Sequence, residues 1–503
     1  MIRRWKESFT PHHAAVTLLM LFGALLRLRQ YLTGRSLWAD EAMLALNIVD
    51  RDLIGLFKPL DYDQGAPLGF LFVEKIVNIF LGRNEYALRL FPLLLGISAM
   101  LLFYLLLKRV VHSNAGILIA LALFVFNPRL IYYSSEVKQY ILDVFVTITL
   151  LLVAAPLLEA QGSKKNFAQL ALAGFLALWF SHPALFVLAG IGLTLVIIYF
   201  RRHEYAGLRY VLGMGALWIA TIGFLYLIIL KDLRQNAYMQ EYWQAGFMPV
   251  PPWSNLMWFA SVLHENIGLQ FGIPYAQYLV LGLMLAGWLY LWIRQRNFAG
   301  ALALILMVTL IASAFQLYPV LERMILFTIP IGLILIGKSV DWLSSFLPDQ
   351  RSLSTVTPVV LAGLLLYGPF TTSIEYFLNP KYYEHIRPSM ENLQSSWKAG
   401  DTLYVTNGAV PAFEYYAQMY GLQEISYRTN QRQDYTDRQK ITEQLDALNG
   451  QSRVWILMSH VYERDGFNEQ DFILEYLKQH GTRKREFRVP GTSVYLYLFD
   501  LGE

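Results

Sequence analysis

Eleven stretches of this chain are apolar for about the length a helix needs to cross a bilayer, and that feature decides most of what it can fold into. A hydrocarbon core of about 30 Å asks for roughly 17 to 25 apolar residues per helix, because in lipid every backbone amide must be satisfied within its own segment. The stretches run over about 14–31, 86–107, 115–131, 140–158, 167–181, 183–200, 208–230, 275–293, 298–316, 321–337 and 355–373. Composition agrees. The 503 residues are 55% hydrophobic and only 16% charged, with a mean hydropathy of +0.39, whereas soluble chains are about 25% charged. An ordinary soluble enzyme is excluded. The absence of cysteine excludes a disulfide scaffold or a zinc ribbon, and a net charge of +4 spread along the chain is too weak for a nucleic-acid binder.

Short basic loops give the orientation, because Lys and Arg close to span ends stay in the cytoplasm. With the basic N-terminus MIRRWKESFTPHH inside, and retained because no small-residue cleavage site follows it, Lys108/Arg109, Lys164/Lys165, Arg201/Arg202, Arg294/Arg296 and Lys338/Arg351 all fall inside. The segments 32–85, 127–139, 231–274 and 317–322 and the C-terminal stretch then lie outside. Within the first outer segment, SLWADEAMLALNIVDRDLIGLF and PLGFLFVEKIVNIFL carry an apolar stripe at helical spacing and read as amphipathic helices in the interface.

After about residue 374 the long apolar runs stop. DTLYVTNG and RVWILMSHV read as buried strands, PAFEYYAQMYG and NEQDFILEYLKQHG as helices, and REFRVP with TSVYLYLFD as a terminal hairpin. The predicted architecture is therefore an α-helical polytopic membrane protein of about eleven spans over 1–374, with an extracytoplasmic α/β domain over 375–503.

Polar residues collect on the outer face. In RSLWADEAM, Asp40 and Glu41 stand at a helix start, where the plain reading is an N-cap and a first-turn acid. Successive helical residues project about 100° apart, so the pair can instead divide labour, one acid facing a cavity and the other holding a partner. In PLDYDQGAPLGF, Asp61, Asp63 and Gln64 precede a Gly-Ala-Pro turn that would not by itself need three polar acceptors. In SSEVKQYILDV, helical spacing would put Glu136, Tyr140 and Asp143 on one face, with Lys138 pointing elsewhere toward a lipid or donor phosphate. Asp143 would sit about one turn inside the bilayer, at a cost of roughly 2.5 to 3.5 kcal/mol, so it faces either a wet cavity or a structural cation. Arg323 in YPVLERMILFTIP breaks the charge trend of the outer turns and presents either a bidentate phosphate contact or a snorkelling group. His182 and His264 are site or metal candidates whose plainer reading is structural. No Walker A loop, dinucleotide fingerprint, G-x-S-x-G elbow or H-E-x-x-H helix occurs, which argues against a cytosolic nucleotide donor.

Taken in order, LWADEAMLALNI, LDYDQGAPLGFLFVEK, ALRLFPLLLG, YYSSEVKQY and ERMILFTIP resemble the GT-C membrane glycosyltransferases of the family 39 type, which include protein mannosyltransferases and lipid A aminoarabinose transferases. The resemblance covers about residues 10–340. It implies transfer of a hexosyl or pentosyl unit, with inversion, from a polyprenyl-monophosphate donor to an extracytoplasmic glycolipid, envelope polysaccharide or protein. The setting it implies is the bacterial inner (cytoplasmic) membrane, with the active site and C-terminal domain facing the periplasm. It also implies Asp40 as general base for the acceptor hydroxyl, supported by Glu41, while cations steady the leaving phosphate. Aminoarabinose transferases place a lysine just before the Pro-Leu-Gly turn, where this chain has Gly65 and Ala66; Lys138, Arg323 and Lys75, with Tyr140, are the substitutes. No cofactor is required by the resemblance, and a divalent metal, Mg or Mn, is a candidate because some relatives use one. The competing class is a polytopic transporter or flippase, in which the acids would be coupling sites; collection of polar groups at one face rather than mid-depth favours an interfacial enzyme.

Overall fold

The computed structural model describes residues 11–159, 161–346, 351–430, 437–464 and 466–502. The basic opening residues 1–10, on which the orientation partly rests, lie outside that set. All eleven apolar stretches are helical. Among the described residues nine helices are long and apolar enough to cross a membrane, from Pro11–Leu32 to Val356–Leu378. The other two are shorter: Asn114–Val125 has 12 residues and Lys164–Phe180 has 17.

Four elements frame the site and are labelled in chain order. Helix α1 is Pro11–Leu32, α2 is Ala39–Asp50, α3 is Leu68–Leu81 and α4 is Glu85–Val110. The two amphipathic stretches of the first outer segment are thus α2 and α3. They differ in setting. The far end of α3 exposes Ile79, Phe80 and Leu81, as an interfacial helix should. In α2, Leu44, Ala45, Ile48 and even Asn47 are buried, because the C-terminal domain roofs it.

The roof is the C-terminal α/β domain. Strands β1 (Thr402–Val405), β2 (Tyr427–Arg428), β3 (Val454–Met458), β6 (Thr482–Arg488) and β7 (Tyr495–Asp500) form one sheet in the order β2-β1-β3-β7-β6, while β4 (Glu463–Arg464) and β5 (Phe467–Asn468) pair separately. β1 pairs in parallel with β2 and β3, and β7 runs antiparallel to β3 and β6. Every residue of β3 is buried, which explains its unbroken apolar sequence. The expected terminal hairpin is β6–β7. Strand β2 and the Arg438–Asp446 helix were not foreseen, since two strand residues and a mostly polar helix leave little periodic signal.

The helix Val410–Ala417 carries the docking contacts. Tyr416 Oη donates to Glu85 Oε1 at 2.7 Å and accepts from the Leu37 amide at 2.8 Å. Tyr62 Oη donates to Glu414 Oε2 at 2.5 Å, and Arg83 Nη2 donates to the Tyr415 carbonyl at 3.1 Å. Hydroxyls and a guanidinium here satisfy groups that burial would otherwise strand. The segment between α1 and α4 and the C-terminal domain are therefore one packed body.

Candidate active site

Asp40 and Glu41 part company at the first turn of α2. Trp38 is the helix N-cap and makes no side-chain capping bond, so Asp40 is not a cap. Its Oδ1 accepts from Lys138 Nζ at 2.9 Å, and its Oδ2 lies 3.2 Å from the Arg323 guanidinium. Asp40 keeps 19% of its side chain exposed, against 5% for Lys138 and 15% for Arg323, so the cluster opens on the acid. Burial alone would raise the Asp40 pKa, but the two cations and the Lys138 bond override it and pull it down to about 2.

Glu41 faces inward and is fully buried. Arg89 on α4 grips it with Nε at 2.9 Å and Nη2 at 2.6 Å, and the Val137 amide donates to it at 2.9 Å. Against the upward push of burial, Arg89 holds the Glu41 pKa below the ordinary value. The remaining Arg89 protons reach the carbonyls of Arg35 at 2.6 Å and Ser36 at 3.3 Å. One bidentate pair thus pins the loop before α2 and the turn bearing Lys138 to the same helix. Glu41 supports the site from behind and has no open face.

Lys138 reaches Asp40 because residues 134–139 are not helical. The Lys138 amide donates to the Glu136 carbonyl two residues back at 2.7 Å, a tight turn that throws the lysine over α2. Gly96 makes room for it, since a β-carbon there would fall on Ser134. The shared face expected for Glu136, Tyr140 and Asp143 is therefore corrected at its first member: the helix begins at Tyr140, and Glu136 instead accepts from Trp38 Nε1 at 2.9 Å. Lys138 also donates to Gln64 Oε1 at 2.6 Å. Gln64 follows two left-handed residues, Tyr62 (φ 61) and Asp63 (φ 54), which turn the chain back toward α2.

Arg323 is the second residue of the Glu322–Thr328 turn, whose first residue, Glu322, is also left-handed at φ 48. Its guanidinium lies among three rings, 6.0 Å from Trp38, 5.8 Å from Tyr140 and 5.5 Å from Trp243. Aromatic faces hold a planar cation in place while leaving its N–H edge for an anion.

The structure thus brings Asp40, Gln64, Lys138, Tyr140 and Arg323 together, with Glu41 and Glu136 behind them, and leaves the remaining expected residues elsewhere. Lys75 donates to the Val49 carbonyl at 3.0 Å, at the opposite end of α2 from Asp40, about 13 to 14 Å along the helix axis at 1.5 Å per residue. Asp61 pairs with Arg51 at 2.7 Å, Asp63 accepts from Asn236 at 2.6 Å, and His264 is bonded to Gln277 at 2.6 Å. Asp143 is buried against Ser181 with Oδ1 lacking a hydrogen-bond partner, and burial pushes the neighbouring His182 down to about 4. Among the described residues no three His, Asp or Glu side chains converge as metal ligands, and the oxygens of Asp40 already face two cations.

Sequence reasoning missed Arg35, Trp38, Arg89, Glu384 and His460. Trp38 is the hub: its ring lies 5.8 Å from Tyr383 and 6.2 Å from His460, as well as beneath Arg323. Its place two residues before Asp40 was the available signal. Glu384 and His460 are more than 300 residues downstream of Asp40 and gave none.

No protein-family model and no curated protein sequence matches the chain. Solved structures do. The chain is similar to ArnT from Cupriavidus metallidurans bound to undecaprenyl phosphate, with a TM-score of 0.56 and 12% identity, covering 96% of this chain and 98% of that one. It is also similar to the oligosaccharyltransferase AglB from Archaeoglobus fulgidus, in complex with an inhibitory peptide and a dolichol-phosphate (TM-score 0.53, 11% identity, 97% of this chain and 74% of that one). The chain shares the fold of these two proteins. The protein is a polytopic membrane protein of that fold with a C-terminal α/β domain.

Proposed function

We propose that this protein is a membrane glycosyltransferase that moves a sugar from a polyprenyl-monophosphate donor to an extracytoplasmic acceptor, with inversion. The observation that carries the reading is the Asp40–Lys138–Arg323 cluster: two cations converge on one partly open carboxylate at the mouth of a membrane bundle. The fold shared with ArnT bound to undecaprenyl phosphate supports a lipid-phosphate donor.

In this reading the donor phosphate enters beside Asp40 and takes a share of Lys138 and Arg323, Arg323 offering a bidentate edge and Lys138 a point charge. As the cations turn to phosphate, Asp40 loses the stabilisation that makes it so weak a base. The acceptor hydroxyl then gives its proton to Asp40 while its oxygen bonds to the anomeric carbon, and the bond from that carbon to the phosphate oxygen breaks. The negative charge gathering on the departing phosphate falls on the cations already in place. Gln64 holds Lys138 from the side, and Glu41 with Arg89 keeps the loop geometry.

The test is transfer by the purified chain in nanodiscs, supplied with radiolabelled undecaprenyl-phosphate-linked hexoses and pentoses and a detergent extract of bacterial envelope. Label moving from undecaprenyl phosphate to the extract, and lost in Asp40→Asn, is expected. Uptake of the lipid-linked sugar into sealed vesicles without cleavage would establish a transporter instead.

A further inference from the structure

The turn that follows β3 brings a histidine of the C-terminal domain to the edge of the Asp40 cluster. His460 is left-handed at φ 51, and its ring keeps 51% of its surface exposed. Gly408 makes that turn feasible, because a β-carbon there would lie 2.6 Å from the His460 carbonyl oxygen. His460 Nδ1 is 2.7 Å from Glu384 Oε1. Glu384 is only 4% exposed, and its Oε2 accepts from the Ala39 amide at 2.9 Å and from Ser459 Oγ at 3.2 Å. One buried carboxylate therefore bonds the first residue of α2, immediately before Asp40, and orients the imidazole above it.

That orientation has a chemical consequence. A carboxylate accepting from Nδ1–H fixes the neutral ring with its lone pair on Nε2, so that nitrogen of the half-exposed ring is a hydrogen-bond acceptor. Beside it the rings of Trp38 and Tyr383 stand 5.8 Å apart, with Tyr383 47% exposed. An aromatic face next to a hydrogen-bond acceptor suits a ligand with an apolar face and hydroxyl edges, which describes a sugar ring.

We propose that His460, oriented by Glu384, accepts a hydrogen bond from an acceptor hydroxyl and holds a sugar ring of that acceptor against Trp38 and Tyr383 beside Asp40, so that the acceptor is a glycan. This rests on the glycosyl-transfer reading above and specifies its second substrate. His460 is a substrate-binding residue and Glu384 its positioning residue. The groups acting on the imidazole are Glu384, whose bond strengthens it as a base against the opposing effect of burial, and the charges of Asp40 on α2 and Glu469 on the Glu469–His480 helix. Protonation turns Nε2 from acceptor into donor, so acceptor binding should change through a titration centred above the ordinary histidine value of 6.5.

The experiment uses the full-length protein in nanodiscs with a radiolabelled undecaprenyl-phosphate-linked sugar. Acceptors are an envelope polysaccharide and glycolipid extract and, separately, a pool of serine- and threonine-rich peptides. His460→Ala should raise the glycan KM about tenfold, the effect of one lost hydrogen bond, a larger change than in kcat. His460→Gln should recover part of the loss, and Glu384→Gln should shift the pH dependence of the glycan KM. An unaltered KM and pH profile in His460→Ala would overturn the role of the histidine. Transfer to peptides and not to glycans would overturn the acceptor class. Cleavage of no lipid-linked sugar by the unaltered protein would remove the glycosyl-transfer reading and this inference together, an outcome distinct from either of the others.

Discussion

Arg89 holds Glu41 through two bonds of 2.9 and 2.6 Å, and by doing so leaves the preceding residue, Asp40, to face the partly open cluster. Neighbouring acids on one helix turn have opposite roles because they project about 100° apart and only one direction leads to the protein interior.

Replacing Asp40 with Asn should lower transfer by about 100- to 10,000-fold, the usual contribution of a positioned general base. Undecaprenyl phosphate should bind as well or better, since Lys138 and Arg323 lose a competing anion. Turnover close to that of the unaltered protein would remove Asp40 from the mechanism.

Arg323→Ala removes one of the two cations proposed to meet the donor phosphate and should weaken undecaprenyl-phosphate affinity by about 10- to 100-fold, as expected for a charged hydrogen bond worth about 1.5 to 3 kcal/mol. The acceptor KM should move far less. A donor titration that superimposes on that of the parent protein would reject the assignment.

Breaking the pair behind the site should cost stability. Arg89→Met leaves Glu41 buried without its cation, a loss of about 3 to 5 kcal/mol. The detergent-solubilised variant should show a clearly lower Tm, and Glu41→Gln combined with Arg89→Met should recover part of it. If the single variant melts with the parent, the pair does not brace the loop.

The acid limb of the reaction should depend on the donor. With its pKa near 2 in the resting site, Asp40 stays ionised across the range where the protein is studied. Its folded value lies below the ordinary 3.8, so its contribution to stability is present above 3.8 and lost as pH falls through about 2. In kcat/KM, which reports the free enzyme, no Asp40 limb should appear above pH 4; in kcat, which reports the donor-loaded state, it should move upward as the cations turn to phosphate. Superimposable limbs in the two profiles would mean that the donor does not redistribute Lys138 and Arg323.

Much of the membrane part was legible because burial in lipid leaves a long apolar signature that needs no partner to interpret. The acid pair, Gln64, Lys138, Tyr140 and Arg323 stood out for a related reason, each being a polar group in a segment that solvation alone would not favour. Lys75 misled because charge near a motif says nothing of direction; its ammonium serves the last turn of α2. Lys138 was expected to point away from the face of Glu136, Tyr140 and Asp143, and the tight turn before it carries it to Asp40 and Gln64. Helical spacing from Glu136 to Asp143 failed for the same reason.

The sequence by itself determined the membrane-spanning class, the α/β character of the C-terminal domain and the acid motif that opens α2, since hydrophobic periodicity and helix-start chemistry are local. Only tertiary structure decided which acid meets cations and which is sealed against Arg89. It also brought His460 and Glu384 beside a tryptophan 422 and 346 positions earlier in the chain. Electrostatic and hydrogen-bond partners act over a few ångströms of space, and separation along the chain does not reveal that distance.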